Sequence, residues 1–306
     1  LYGKHNMVIN AHLDQFPPVK SDITVTPSIL KLQENAKIEE KGTLKAAYTI
    51  PFKQLSKYMK KLFIENLKET ILVTPSNYTS NIIAKTAGLR SIVIYPPIQQ
   101  LEEYFKAGES PESKDAKLIV TMGRISPDKN LETFVEIASK TPKAKFYILG
   151  STPTRNAEAR QAYLKYFKYI LDKIKEKNVD NITFKINTTL SERLEILRKA
   201  SIYLHTAQNE TLGRAIIEAM AAGLTPIVYR NGGPWTDVLE EKEGLYGYSY
   251  KRIDEAHAII NELIDKGRCI EDIERMRRYI KNKFSLVNVR RKWIKLISSV
   301  KRGTNS

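Results

Sequence analysis

The segment "NETLGRAIIEAMAAGLTPIV" (209–228) places two carboxylates, Glu210 and Glu218, in a stretch otherwise patterned as a buried helix feeding a buried strand. A carboxylate among Ala215, Ile217, Ala219, Met220 and Ala222 is costly to bury unless it accepts hydrogen bonds. A vicinal diol such as that of a ribose offers two donors at suitable spacing. On these residues alone two plainer readings stay open: Glu218 pairs with Arg214 one helical turn earlier, and Glu210 caps the helix start.

Gly213 stands between the glutamates, at the expected helix start. There, unpaired N–H groups and the helix dipole favour an anion, and a residue without a side chain lets an oxygen approach the backbone. A diphosphate fits such a place. A second loop, "GRISPDKN" (123–130), carries Arg124 and Lys129 around a turn set by Pro127 and Asp128. Gly123 allows the tight turn at its start, and the turn can bring both cations to one anion. Seen by itself, this loop reads equally well as surface charge. His205, just ahead of Thr206 and the first glutamate, is open between a packed, hydrogen-bonded residue and a member of the same pocket.

The elements that must position these loops are legible from residue 116 onward. Short β-branched runs at 117–123, 145–150, 181–186, 201–206 and 225–230 alternate with helical stretches near 130–140, 156–177, 190–199 and 212–222. That alternation implies right-handed crossovers and a parallel, doubly wound sheet, whose ligands bind beyond the carboxyl ends of the strands. Three terminal segments, 252–266, 271–283 and 285–301, read as helices. The polar stretch 99–115 is expected to be a linker between residues 1–98 and a domain over 116–284, with 285–306 a helix packing back toward the first domain. Residues 1–98 show two or three clear strands. With Leu1 as the first residue, the expectation is a missing N-terminal portion or a reduced first domain.

Composition narrows the classes. The 306 residues are 42% hydrophobic and 27% charged, a globular balance over roughly two domains. No apolar run approaches the roughly 20 residues of a membrane span. The one cysteine, Cys269, excludes an internal disulfide and a cysteine-type zinc site, and fits a reducing compartment. The net charge of +16 attracts nucleic acid, anionic headgroups or phosphorylated substrates, and charge alone does not choose among them. Basic runs at 53–63 and 290–302 interleave apolar residues, a pattern that fits a membrane surface as well as a protein core.

Taken jointly, Gly123, Arg124 and Lys129 followed by "ETLGRAIIEAMAAGLTP" (210–226) and "NGGPWTDVLEE" (231–241) resemble the family 4 glycosyltransferases of GT-B fold. The stretch "FKINTTLSERLEILRKASIYLHTAQNETLG" (184–213) resembles the lipid-linked oligosaccharide α-1,2-mannosyltransferases, which use GDP-mannose. The resemblance implies an α/β chain of two Rossmann-like domains with parallel sheets, the N-terminal one incomplete. It also implies retaining, metal-independent transfer of a hexose from a GDP- or UDP-linked sugar to a lipid-linked or polysaccharide acceptor, with no separate cofactor.

Carried onto this sequence, Arg124 and Lys129 bind the diphosphate and stabilise its charge, and Glu210 meets hydroxyls of the transferred sugar. Glu218 holds the ribose; Thr211, Leu212 and Gly213 meet phosphates or sugar through the backbone. Arg214 and His205 are further donor-site candidates. The chain departs from the family near its start, where neither a glycine-rich loop nor a His before an aromatic-Pro pair is found; Thr26 precedes Pro27 instead, and His5 and His12 are the available substitutes. Absence of an Asp-x-Asp removes the usual reason to expect a divalent metal. The expected setting is cytoplasmic, peripheral at an anionic membrane face, with no nucleic-acid partner. A GT-B-like nucleotide-sugar-binding or scaffold protein without transfer is the competing reading.

Overall fold

The computed structural model describes residues 9–10, 21–26, 64–65, 67–110, 114–152 and 157–303. The basic run at 53–63, His5 and His12 lie outside them. Two compact units divide the chain, Leu1–Pro96 with Val289–Ser306, and Pro97–Asn288.

The first unit holds a parallel sheet in the order β1-β2-β3-β4, from strands Ile9–Asn10, Ile23–Val25, Ile71–Thr74 and Ile92–Val93. Helix α1 (Asn77–Ala87) follows β3; Ser76 caps its start by accepting from the Thr79 N–H at 3.0 Å, and Gly88 ends it with φ +67°. Ile23, Val73 and Ile94 form a core with Val289 and Leu296 of the final helix, while Trp293, Ile297 and Val300 pack against it. The apolar side of the 290–302 run thus serves a protein core. Arg290, Arg291, Ile294 and Lys295 face solvent.

In the second unit, α2 (Leu101–Ala107) precedes six parallel strands: β5 (Asp115–Arg124), β6 (Lys145–Ser151), β7 (Ile182–Ile186), β8 (Ala200–His205), β9 (Thr225–Tyr229) and β10 (Tyr248–Tyr250). The helices between them are α3 (Leu131–Lys140), α4 (Ala157–Glu176), α5 (Leu190–Lys199) and α6 (Arg214–Ala221). After β10 come α7 (Ile253–Lys266) and α8 (Ile270–Phe284); the final helix, α9 (Leu286–Gly303), belongs to the first unit from Val289 onward. The sheet order is β10-β9-β8-β5-β6-β7. The chain winds outward from β5 through β6 and β7, then returns to place β8 against β5's other edge, pairing Ile119 with Ile202 and Val120 with Tyr203. The winding reverses between β5 and β8, and in doubly wound sheets the ligand crevice lies at that reversal.

The core that fixes this sheet follows from the helical and strand periods. Leu131, Phe134, Val135 and Ala138 line one face of α3 and are buried against Phe146, Ile148 and Ile202. The Phe134 and Phe146 rings meet edge to face with centroids 5.4 Å apart. Helix α5 opens with a capping box, Glu192 accepting from the Thr189 N–H at 2.8 Å. Its C-terminal carbonyls are closed by Lys114, whose Nζ donates to Leu197 and Ala200 carbonyls at 2.9 Å each.

Two features depart from the sequence reading. The stretch expected to be a linker contains α2, with Leu101, Tyr104, Phe105 and Ala107 buried. Arg277 anchors it, donating from Nη2 to the Phe105 carbonyl at 2.6 Å and from Nε to the Ala221 carbonyl at 3.1 Å. Buried apolar residues and a buried guanidinium give this segment structure despite its polar composition. The short strand β10 was also unforeseen, three residues being too few to show a period.

Candidate active site

The two loops singled out by the sequence leave the two strands that flank the reversal. Strand β5 ends at Arg124 and runs through a 3-10 turn, Pro127–Lys129, into α3; β8 ends at His205 and leads through Thr206–Gly213 into α6. A cavity at this end of the sheet is lined by residues of both strands and loops, among them Gly123, Arg124, Lys129, His205 and Thr206. Gly123 has φ +152°, a conformation glycine adopts without strain, and a side chain there would meet the Lys129 stem.

The loops are stitched to one another. Thr206 Oγ1 donates to the Lys129 carbonyl at 2.8 Å, and the Asn130 amide donates back to the Thr206 carbonyl at 3.3 Å. Across this seam the Lys129 ammonium pairs with the Glu210 carboxylate, and both side chains are about four-fifths withdrawn from solvent. Burial alone would raise the Glu210 carboxyl, but the Lys129 ammonium beside it more than offsets this and holds it below the ordinary carboxylate range. The turn also brings Arg124 and Lys129 to an anion of its own. That anion is Asp128, 3.2 Å from Arg124 Nη2 and 3.8 Å from Lys129 Nζ.

A third loop braces the glutamate from outside. The Gly233 N–H donates to the Glu210 carbonyl at 2.9 Å, and Asn231 Nδ2 donates to the Gln208 carbonyl and to Asn209 Oδ1, each at 3.0 Å. A Cβ on Gly233 would lie 2.1 Å from the Thr211 carbonyl oxygen, so the close approach of the two backbones requires glycine. Leu212 and Gly213 are buried, Thr211 half-buried, and Gly213 enters α6 with φ +85°.

Glu218 sits half-buried on α6. The Tyr104 hydroxyl of α2 and Arg193 of α5 both act on its carboxylate, and Arg193 Nη1 donates to the Tyr104 hydroxyl at 3.2 Å. Burial raises the Glu218 carboxyl above its ordinary value, against the opposing pull of Arg193, the Tyr104 hydroxyl and, least, Arg214. Arg193 is therefore the stronger cation at this carboxylate, and Arg214 is exposed. Tyr104 and Arg193 were not anticipated. The spacing of Leu101, Tyr104 and Phe105 is that of a helix face and was the available signal for the first; the second had none beyond its place in a capped helix.

The glycosyl transferases group 1 family model matches residues 103–283. HepE of Anabaena, solved with UDP-glucose, superposes with a TM-score of 0.68 at 15% identity, covering 90% of this chain and 72% of that one. WaaG, a glycosyltransferase of lipopolysaccharide biosynthesis, superposes at 0.66 with 13% identity, over 94% and 77%. The fold is thus that of the GT-B glycosyltransferases.

The chain belongs to the glycosyl transferases group 1 family. Among curated relatives, the GDP-Man:Man(3)GlcNAc(2)-PP-Dol alpha-1,2-mannosyltransferase of Dictyostelium discoideum is 24% identical over 241 residues, 75% of this chain and 47% of that protein. The human protein of the same name is 26% identical over 185 residues, 57% and 37%. The chain spans less than half the length of these relatives.

Proposed function

We propose that the second unit binds a nucleoside-diphosphate hexose, GDP-mannose by preference, and that the protein transfers the hexose with retention and without a metal to a lipid-linked acceptor. The observation that carries this reading is the convergence of Arg124, Lys129 and Glu210 at the β5/β8 reversal, with Glu218 on α6, the helix into which the second loop leads. Arg124 and Lys129 take the diphosphate in place of Asp128. Preorganised positive charge then stabilises the leaving group as the bond from the sugar's anomeric carbon to phosphate breaks. The Glu210 carboxylate accepts from hydroxyls of the transferred hexose. The backbone of Thr211, Leu212 and Gly213 meets the phosphates or the sugar.

Glu218 holds the ribose. Its carboxyl is one that burial pushes up, and two ribose hydroxyls supply the donors that favour its ionised form. Tyr104 and Arg193 fix its orientation. The mannosyltransferase relatives support the sugar and the lipid-linked acceptor. Among the described residues no helix is long and apolar enough to cross a membrane. We assign contact with an anionic, cytoplasmic membrane face to basic surface such as Arg290, Arg291 and Lys295.

Incubation of the protein with GDP-mannose and a polyprenyl-diphosphate oligosaccharide tests the reading. Acceptor-dependent release of GDP is the expected result. Binding of GDP-mannose without turnover on any acceptor replaces it with the binding-protein reading. Binding to anionic liposomes but not to duplex DNA at moderate salt is expected of the basic surface.

A further inference from the structure

His205 closes β8 and is 4% exposed. Its backbone carbonyl accepts from the Tyr250 hydroxyl at 3.4 Å, and its ring lies beside Tyr203 with centroids 6.2 Å apart, so the imidazole is held in place. Nε2 is nonetheless buried without a hydrogen-bond partner, one of four such side-chain atoms among the described residues. Of the residues that carry them, His205 alone lines the cavity between the two loops. A buried donor or acceptor left unpaired is destabilising, so a group kept in that state on the wall of a cavity points to a ligand atom.

The neighbours say which part of a donor it meets. Nε2 is 4.0 Å from the Glu210 carboxylate. A phosphate within reach of Nε2 would stand against that carboxylate. The imidazole has no charge to offset the repulsion, because burial pushes it down to about 4 and leaves it neutral near pH 7. A hydroxyl suits both partners: it can donate to Glu210 and exchange a hydrogen bond with neutral Nε2, and two adjacent ring hydroxyls can serve the two groups separately.

Resting on the donor-site reading above, we propose that His205 Nε2 hydrogen-bonds a hydroxyl of the transferred hexose beside the one held by Glu210, and so takes part in choosing the hexose. A sugar lacking that hydroxyl leaves the buried nitrogen unpaired, which discriminates by about tenfold or more.

The test is calorimetric titration of the full chain with GDP, GDP-mannose and GDP-mannose analogues each lacking one sugar hydroxyl. Wild type is expected to discriminate against one particular deoxy analogue by about tenfold. In His205→Ala that discrimination vanishes, and the ratio of GDP-mannose to GDP affinity falls by a similar factor. His205→Asn, which keeps a polar nitrogen, recovers part of both. Ligand-free melting of each variant establishes that it is folded. Equal weakening of GDP and GDP-mannose in both variants, or wild-type discrimination among the deoxy analogues, overturns the proposal while leaving the donor site standing. Failure of wild type to bind GDP at all overturns the donor-site reading and this proposal together.

Discussion

Lys129 and Glu210, 81 positions apart in the sequence, form an ion pair across the seam between the loops that follow β5 and β8. The pair is mostly withdrawn from water, and Lys129 keeps the Glu210 carboxyl ionised where the sheet reverses its winding. Removing the cation leaves a carboxylate that burial disfavours. Lys129→Met is expected to lower unfolding free energy by about 2 kcal/mol in urea titration, and adding Glu210→Gln should return part of that loss by removing the unpaired charge. A double mutant as unstable as the summed single mutants would show that the two groups do not interact.

The pH dependence of this pair has a definite sign. Glu210 is held below its unfolded value of 4.5, so its contribution is present above pH 4.5 and is lost as pH falls through the folded value. His205 acts in the same direction over a higher window: its folded value of about 4 lies below the unfolded 6.5, so stability is full above pH 6.5 and declines toward pH 4. Substitution of His205 by Asn should flatten the melting-temperature profile between pH 6.5 and 4.5 relative to wild type.

Glu218 has the opposite sign. Its carboxyl is raised, so the folded chain binds this proton more tightly than the unfolded chain, and stability from this position is greatest below pH 4.5 and falls as pH rises through the folded value. At neutral pH, Glu218→Gln is expected to raise the melting temperature of the ligand-free protein while weakening GDP binding about tenfold or more. Loss of stability together with unchanged GDP affinity would assign Glu218 to the structure alone.

Asp128 bridges the two cations assigned to the diphosphate, at 3.2 and 3.8 Å. It is half-exposed and its pairing with Arg124 contributes little to stability. Asp128→Asn should leave the melting temperature within a degree or two and tighten GDP binding by about two- to fivefold, more at low salt than at high. Titration at two ionic strengths checks both parts.

Gly233 is where the third loop touches the glutamate loop. Gly233→Ala places a methyl carbon only 2.1 Å from the Thr211 carbonyl oxygen, and the loops must separate. A loss of about 1–3 kcal/mol in stability is expected, with weaker binding of nucleotide sugars, measured by urea titration and calorimetry on the same preparation.

The parts of this fold that the sequence discloses are those governed by local period. The β5 and β8 runs, "KLIVTMG" and "SIYLHT", and the α3 and α6 patterns can be read because each alternates or repeats on a face large enough to be buried. Arg124, Lys129 and Glu210 stand out because their loops follow strands in a βα alternation, and Glu218 because it is a carboxylate in an apolar helix. What the sequence conceals is which distant groups meet. Nothing local pairs Arg193 with Tyr104, or shows that Glu218 answers more to Arg193 than to Arg214 on its own helix. Helix α2 was hidden by its charged surface residues, although Leu101, Tyr104 and Phe105 are buried.

The central claim is that one nucleoside diphosphate binds between the Arg124/Lys129 loop and Glu218. Calorimetric titration of GDP into wild type, Arg124→Ala and Glu218→Ala tests it most directly. The account predicts saturable binding by wild type, a loss of about tenfold or more in each variant, and unchanged or higher ligand-free melting temperature for Glu218→Ala. Equal GDP affinity in all three folded proteins, or no binding by wild type at millimolar GDP, would contradict it.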